Sequence, residues 1–467
     1  MSSDQSGPDP GSWRDPYGFV YRRDGVLLRQ VNRVAAGDWA ALEGAGLLRH
    51  LQEAGLLVPH EAAPAALAAD PGRALAVIRP EPIPFISYPY EWTFGQLKAA
   101  ALLTLRIQEQ AMTAGFELRD ASAYNVQFLR GRPVLIDTLS FRRTEPWAPW
   151  IAYRQFCEHF LAPLALMARR DIRLGRLQRS HLDGIPLDLA AGLLPARTRL
   201  ALGLGTHVHL HARAQRRHAD HPASAARATS RLISPTRQAA LLDSLRRLIE
   251  GLSWTPVGTE WADYGTASSY DDESAAGKDA IVADLLARVR PTVVWDLGAN
   301  AGRYSAIAAG VADRVLALDI DPAASERHWR ALLASGETTV LPLLQDLADP
   351  SPALGWAGRE RRSLFERAEG ATLMALALVH HLAIGRNVPL SMLSGTLARL
   401  GDRLLIEWVP KEDPMVGRLL ATREDIFPGY TEDGFREAFE RDWMVVERRP
   451  IPATTRIVYC LRRVSGP

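Results

Sequence analysis

Val293-Val-Trp-Asp-Leu-Gly-Ala-Asn-Ala-Gly-Arg-Tyr-Ser305 reads as an apolar strand that stops at a tight turn and passes directly into a helix near Tyr304. Gly298, Ala299, Ala301 and Gly302 carry little or no side chain, so the backbone between strand and helix can lie close to a ligand. The backbone N–H groups and the positive helix end at such a turn are expected to face an anionic group. Asn300 stands where a dinucleotide fingerprint has its middle glycine, so the glycine spacing decides little without its context.

The context lies on both sides of the turn. Arg314-Val-Leu-Ala-Leu-Asp319 forms the next strand, and its terminal carboxylate lies where it can accept both hydroxyl protons of a ribose, as in SAM or NAD sites. A third strand, Thr338 to Leu344, leads to Gln345-Asp346-Leu347, whose carboxylate can reach an adenine amino group. Two acidic strand ends favour an adenosyl cofactor, against the plainer reading of Asp319 and Asp346 as helix caps or loop carboxylates. Apolar β-type runs alternate with helical stretches from Thr255 onward, the pattern of a parallel sheet with crossover helices.

These residues resemble the class I SAM-dependent methyltransferases, and most nearly a bacterial branch known through nodulation-related host-specificity proteins. The resemblance rests on Trp295-Asp-Leu-Gly-Ala-Asn-Ala-Gly302, Leu318-Asp-Ile-Asp-Pro322, Asp346-Leu-Ala-Asp-Pro-Ser351, Ala375-Leu-Ala-Leu-Val-His-His-Leu-Ala-Ile384 and Leu419-Leu-Ala-Thr-Arg-Glu-Asp-Ile-Phe-Pro428. It implies an α/β fold, a Rossmann-like seven-stranded sheet ending in strands at Trp443 to Glu447 and Ile457 to Leu461. It implies S-adenosyl-L-methionine as cofactor. Asp296 and the turn Gly298, Ala299, Asn300 and Gly302 would hold its methionine end, Asp319 with Ile320 its ribose, and Asp346 with Leu347 its adenine.

Methyl transfer is an in-line displacement that chiefly needs a nucleophile held in line and sometimes deprotonated. His380 and His381 follow the apolar run Ala371 to Val379, past the end of the fourth strand, and one is a candidate base. Their alternative is packing on the adenosyl group and capping the next helix. Glu407, ending the strand Arg403 to Ile406, is the second candidate, with Trp408 as pocket wall and Lys411 as anion contact; burial beside Arg403 is its plainer reading. Tyr264, Tyr270 and Lys278 precede the first strand in a segment that can fold over the cofactor, although Lys278 also fits the solvated side of an amphipathic helix carrying Ile281, Val282, Leu285, Leu286 and Val289.

The first half reads differently. Residues 1–12 are expected to be a flexible leader, 13–150 an α+β module, 151–254 a helical continuation, and 255–467 the methyltransferase domain. Asp24-Gly25 between two short apolar stretches predicts a β-hairpin over Gly18 to Val31. Asp120, Asn125 and Asp137 resemble the catalytic loop and metal-binding aspartate of kinase-like phosphotransferases. Ile86 to Trp92 would then link two lobes. Against that, the chain's three lysines are Lys98, Lys278 and Lys411, so none precedes the loop's own lobe, and no glycine-rich phosphate loop is present. The expectation is a degenerate kinase-like module that serves substrate recognition, or an unrelated α+β domain.

Composition fits this division. A charged fraction of 23% and a hydrophobic fraction of 47% are those of globular domains, and the net charge of +2 asks for no nucleic acid. Five histidines between His207 and His221 lack a zinc-ligand spacing, so no metal is expected. The start has no signal-peptide pattern and no apolar run is long enough to span a membrane, so a cytoplasmic, membrane-free protein is expected. The expected activity is methylation of an O or N nucleophile of a small molecule. A protein or RNA methyltransferase docking through the arginine-rich Arg213 to Arg237, and a SAM-binding regulatory module, are the alternatives.

Overall fold

The computed structural model describes residues 7–145, 147–213, 233–257, 272–368, 370–421 and 423–464. The chain forms two compact units, one of Met1–Trp254 with Leu354–Arg361, the other of Thr255–Ala353 with Arg362–Pro467.

In the first unit, β1 (Gly18–Arg23) and β2 (Val26–Asn32) form a hairpin whose turn residues Asp24 and Gly25 have φ of 51° and 77°. Those are the positive angles that a two-residue turn between right-twisted strands requires. With β3 (His60–Ala63) and β4 (Ala74–Pro80) the hairpin makes an antiparallel sheet ordered β1-β2-β4-β3, and α1 (Ala36–Ala45) and α2 (Leu47–Glu53) lie between β2 and β3 in the chain. Phe19, Tyr21, Leu28, Ala68 and Val77 fill one core. Residues 9–12, expected to belong to a flexible leader, are instead tied to β1: the Asp9 amide donates to the Val20 carbonyl and the Val20 amide to the Ser12 hydroxyl.

A long helix follows, α3 (Phe94–Thr113), started by a capping box in which Thr93 and Gln96 satisfy each other's amides. After it come β5 (Phe116–Leu118), the hairpin β6 (Val126–Leu129) and β7 (Arg132–Leu135), and β8 (Phe141–Arg143) paired with β5. The described residues between 153 and 213 are helical or turn, and α4 (Pro235–Gly251) packs on α3. His207 is bonded to the Tyr153 and Ser244 hydroxyls and His209 to that of Thr198, so these two histidines are buried structural groups. His218 and His221 lie outside the described residues.

The second unit opens with α5 (Asp272–Val289) and is built on seven strands: β9 (Val293–Leu297), β10 (Arg314–Asp319), β11 (Val340–Leu344), β12 (Ala371–Ala375), β13 (Gly401–Trp408), β14 (Trp443–Pro450) and β15 (Ile457–Arg463). Their order is β11-β10-β9-β12-β13-β15-β14, parallel from β11 to β13, with β15 antiparallel to both neighbours. This is the α/β fold of class I methyltransferases, reached from a sequence in which the central strands are continuously apolar because helices cover both faces. Val294, Leu297, Val315 and Leu373 are wholly buried, and each such side chain contributes roughly 1.5–3 kcal/mol. The crossovers are α6 (Arg303–Ala309), α7 (Pro322–Ser335) and α8 (Leu390–Leu400); α9 (Pro414–Leu420) and α10 (Glu432–Glu440) lie between β13 and β14 in the chain. Strand order reverses between β9 and β12, so a crevice forms beyond their carboxyl ends. No helix among the described residues is long and apolar enough to cross a membrane.

Candidate functional site

At the end of β9 the backbone enters left-handed conformations at Gly298, Asn300 and Gly302, with φ of 77°, 48° and 88°. A side chain on Gly302 would fall inside the His328 ring, at 2.1 Å from Nε2, so this glycine serves helix packing. At Gly298 the nearest atom would be 3.3 Å away on Leu378, and this position keeps a close approach open. The amides of the turn are turned inward, contrary to expectation. Those of Gly298 and Ala299 donate to the Leu318 carbonyl, that of Asn300 to Asp319, that of Ala301 to the Asn300 side chain, and that of Gly302 to the Ala299 carbonyl. They stitch β9 to β10 rather than await an anion.

Asp319 accepts the Asn300 amide on one oxygen and the Asp321 amide on the other, each at 2.7 Å. The helix-cap role belongs to Asp321, which accepts the amides of Ala323 and Ala324. Ile320 is half-buried beside Asp319. Asp296 accepts the Ser305 hydroxyl at 2.6 Å, fixing the start of α6. Both Asp296 and Asp319 are pushed up to about 6, chiefly by burial and, for Asp296, in part by the neighbouring Asp319 charge. Asp346 caps its own turn through the Ala348 amide and pairs with Arg386 at 3.5 Å, so the plainer loop reading describes part of its role; Leu347 next to it is half-buried.

The most concentrated chemistry lies at the ends of β12 and β13. Lys278, from α5, is buried and pairs with Glu407 at 2.6 Å, with its ammonium 4.5 Å from the Tyr304 ring centre. Burial lowers the Lys278 pKa, against the pull of Glu407. The solvated-face reading of Lys278 is therefore overturned, and Glu407 pairs with Lys278 rather than Arg403. Arg456, just before β15, donates to Glu407 at 3.1 Å and grips Asp413 through two nitrogens at 2.6 and 3.0 Å. Glu407 lies inside β13, which runs on to Trp408. Trp408 stacks on Tyr430 and Phe435 and is 1% exposed, so it is core rather than pocket wall. Lys411 is tied to Asp425 at the surface. Tyr264 and Tyr270 lie outside the described residues.

The apolar run before the histidines divides in two: β12 ends at Ala375, and a turn through Ala377 carries the chain to His380. His380 is 0% exposed, both its ring nitrogens lack a hydrogen-bond partner among the described residues, and its ring centre is 4.0 Å from that of His381. Burial holds His380 well below its ordinary value and His381 at about 4, helped by the positive charge of Arg456. Both are neutral imidazoles at pH 7. The sequence reading missed Arg456, Asp413 and Tyr304. Arg456 sits in a polar turn before an apolar strand, where an arginine ordinarily faces solvent, and no local signal marks it as buried.

A protein of Rhizobium meliloti (strain 1021), nodulation protein NoeA, is 34% identical over 458 residues, covering 97% of this chain and 95% of the relative. The chain belongs to the NoeA family. No family model matches it. Among solved structures, the N-methyltransferase NodS of Bradyrhizobium japonicum WM9 with S-adenosyl-L-homocysteine (SAH) aligns over 44% of this chain and 97% of its own, at 10% identity and a TM-score of 0.32. The magnesium protoporphyrin IX methyltransferase ChlM of Synechocystis PCC 6803 aligns over 44% and 96%, at 15% identity and a TM-score of 0.32. Likenesses of this size add nothing to the strand order, which places this NoeA relative in its fold class.

Proposed function

We propose that this protein binds S-adenosyl-L-methionine across the ends of β9, β10 and β11 and transfers its methyl group to a hydroxyl or amine of a small molecule. The observation that carries the reading is Asp319, a buried carboxylate at the carboxyl end of β10, beside β9, held by two backbone amides while Asp321 does the helix capping. A carboxylate so fixed keeps lone pairs for two ribose hydroxyls. Asp346 and the half-buried Ile320 and Leu347 fit an adenine, and Asp296 fits the ammonium of a methionine end, whereas Lys278 is already taken up by Glu407. SAM supplies an electrophilic methyl on a sulfonium.

The chain's own part is to align the acceptor. His380, whose two buried nitrogens have no hydrogen-bond partner among the described residues, accepts a hydrogen bond from an acceptor hydroxyl or amine and orients its lone pair. As a weakly basic imidazole it takes the proton late, once transfer has made that proton acidic. His381 supports the same wall of the pocket.

The amino-terminal unit aids recognition of the acceptor rather than transferring phosphate. Arg29 on β2 forms an ion pair with Asp137, which also accepts the Ser140 hydroxyl. Burial alone would raise the Asp137 pKa, but Arg29 together with the hydrogen bonds from the Ser140 hydroxyl and the Leu139 amide brings it below the ordinary value. The carboxylate that a kinase-like centre would turn to magnesium is thus already neutralised. Asp120 is held by the Ser122 amide and Gln155.

Calorimetric titration of SAH into the full chain tests the cofactor assignment. Asp319→Ala removes two charge-assisted bonds to ribose, so affinity should drop by roughly 10²-fold or more. Equal affinity in the variant would remove the site from this position.

A further inference from the structure

Glu407 is placed as though it were a catalytic base, yet its surroundings give it other work. One carboxylate oxygen takes the Lys278 ammonium and the Ala377 amide at 2.6 and 2.9 Å, the other takes Arg456 at 3.1 Å, and the side chain is 0% exposed. Lys278 and Arg456 come from α5 and from the turn before β15, so the carboxylate is clamped from two sides of the sheet end. Arg456 is itself fixed by the two-nitrogen grip on Asp413.

The Ala377 end of this arrangement is the informative one. Ala377 has a φ of 51°, a left-handed conformation that an L residue keeps only when its surroundings impose it. The bond from its amide to the Glu407 carboxylate ties this turn to β13. Three residues later stands His380, which opens a π-helical turn over His381–Gly385. The His381 ring centre lies 4.0 Å from its own, and the positive charges of Arg456 before β15 and Lys278 on α5 act on it from two other elements.

We propose that Glu407 is a positioning residue: through the Ala377 amide it sets the turn that aims His380 at the acceptor, and Lys278 and Arg456 serve to hold Glu407 for that task. The aiming at an acceptor rests on the methyltransferase reading, whereas the coupling of Glu407 to His380 does not. Methylation then depends on an ionic frame whose members need touch neither substrate nor the transferring methyl.

Two charge-balanced double variants separate positioning from mere stability. Lys278→Met with Glu407→Gln keeps an amide oxygen for Ala377; Lys278→Met with Glu407→Leu removes it. Ring resonances of His380 are followed in full-length protein labelled with ¹⁵N at its 12 histidines, with His380→Gln for assignment. In the glutamine variant the His380 signals should keep their wild-type positions and stay untitrated from about pH 5.5 to 8. In the leucine variant they should shift, with titration moving toward the ordinary histidine range. Identical His380 signals and titration in the two variants would overturn the proposal. Should the leucine variant not fold, hydrogen exchange of the wild-type Ala377 amide decides: protection equal to that of β12 is expected, and free exchange overturns it. SAH calorimetry on the wild type bears on the cofactor reading separately, and failure there would leave the coupling result standing.

Discussion

Acidification should weaken cofactor binding through two carboxyls at the strand ends. Burial puts Asp296 and Asp319 at about 6 in the ligand-free protein. A methionine ammonium and two ribose hydroxyls need ionised acceptors, and the ammonium's charge draws its carboxylate back toward the ordinary range. Binding therefore selects the deprotonated forms: affinity is full above about pH 7 and is lost as pH falls through 6. At about pH 5 the loss is roughly ten-fold per carboxyl and on the order of a hundred-fold for the pair, or about 3 kcal/mol. In the ligand-free protein the sign is opposite. Between about pH 4 and 6 the native state binds more protons at these two sites than the unfolded chain does, so their contribution to stability falls as pH rises through that window. Calorimetry of SAH binding at about pH 5, 6 and 7.5, in buffers of different ionisation enthalpy, measures affinity and proton release together. Affinity level across that range with no proton released would refute the assignment of both carboxyls to the cofactor.

Three further outcomes are expected. Arg456→Leu strands the buried Asp413 carboxylate and should cost about 3–5 kcal/mol in a urea unfolding transition followed by tryptophan fluorescence; a loss under about 1 kcal/mol would mean that the pair is solvated. His380→Ala should keep SAH affinity and lose roughly 10²-fold or more in acceptor-dependent SAH release, and normal release in both His380→Ala and His381→Ala would eliminate a histidine from the transfer step. Magnesium ATP should leave the melting temperature of the full chain unchanged, because Arg29 already neutralises Asp137; a clear rise that disappears in Asp137→Asn would restore a nucleotide role to the amino-terminal unit.

What could be read from the sequence divides along a physical line. Strands β9 and β10 and the turn at Gly298 are local events, set by consecutive apolar residues and by the backbone freedom of glycine, and they stand where the pattern puts them. The hairpin at Asp24-Gly25 is of the same kind. Errors begin where a residue's partner is distant in the chain. Lys278 and Glu407 are 129 positions apart and Arg456 and Asp413 are 43, and no periodicity encodes either pair. Arg29 escaped notice because the kinase-like comparison sought a lysine, while here an arginine takes the acidic partner from β2. The amides of the turn were expected to face outward because a strand-to-helix turn offers them; the Leu318 carbonyl and Asp319, on the neighbouring strand, compete for them first.

These pairings also bear on how buried strand ends can meet a cationic cofactor. Lys278 and Arg456 are matched by Glu407 and Asp413, so that cluster is electrically balanced before any ligand arrives. His380 and His381 add no charge at neutral pH. Asp296 and Asp319 are left as the groups whose ionisation burial opposes and a bound cation favours. SAM brings a sulfonium and an ammonium against a single carboxylate, a net positive charge that these two sites are placed to answer in the proposed complex. The counter-charge is thus latent in the strand ends and develops as the cofactor binds, while the balanced cluster beside it stays fixed and can serve geometry. On the proposed assignment, that separation gives the pH response to Asp296 and Asp319 and leaves the aiming of His380 to Glu407.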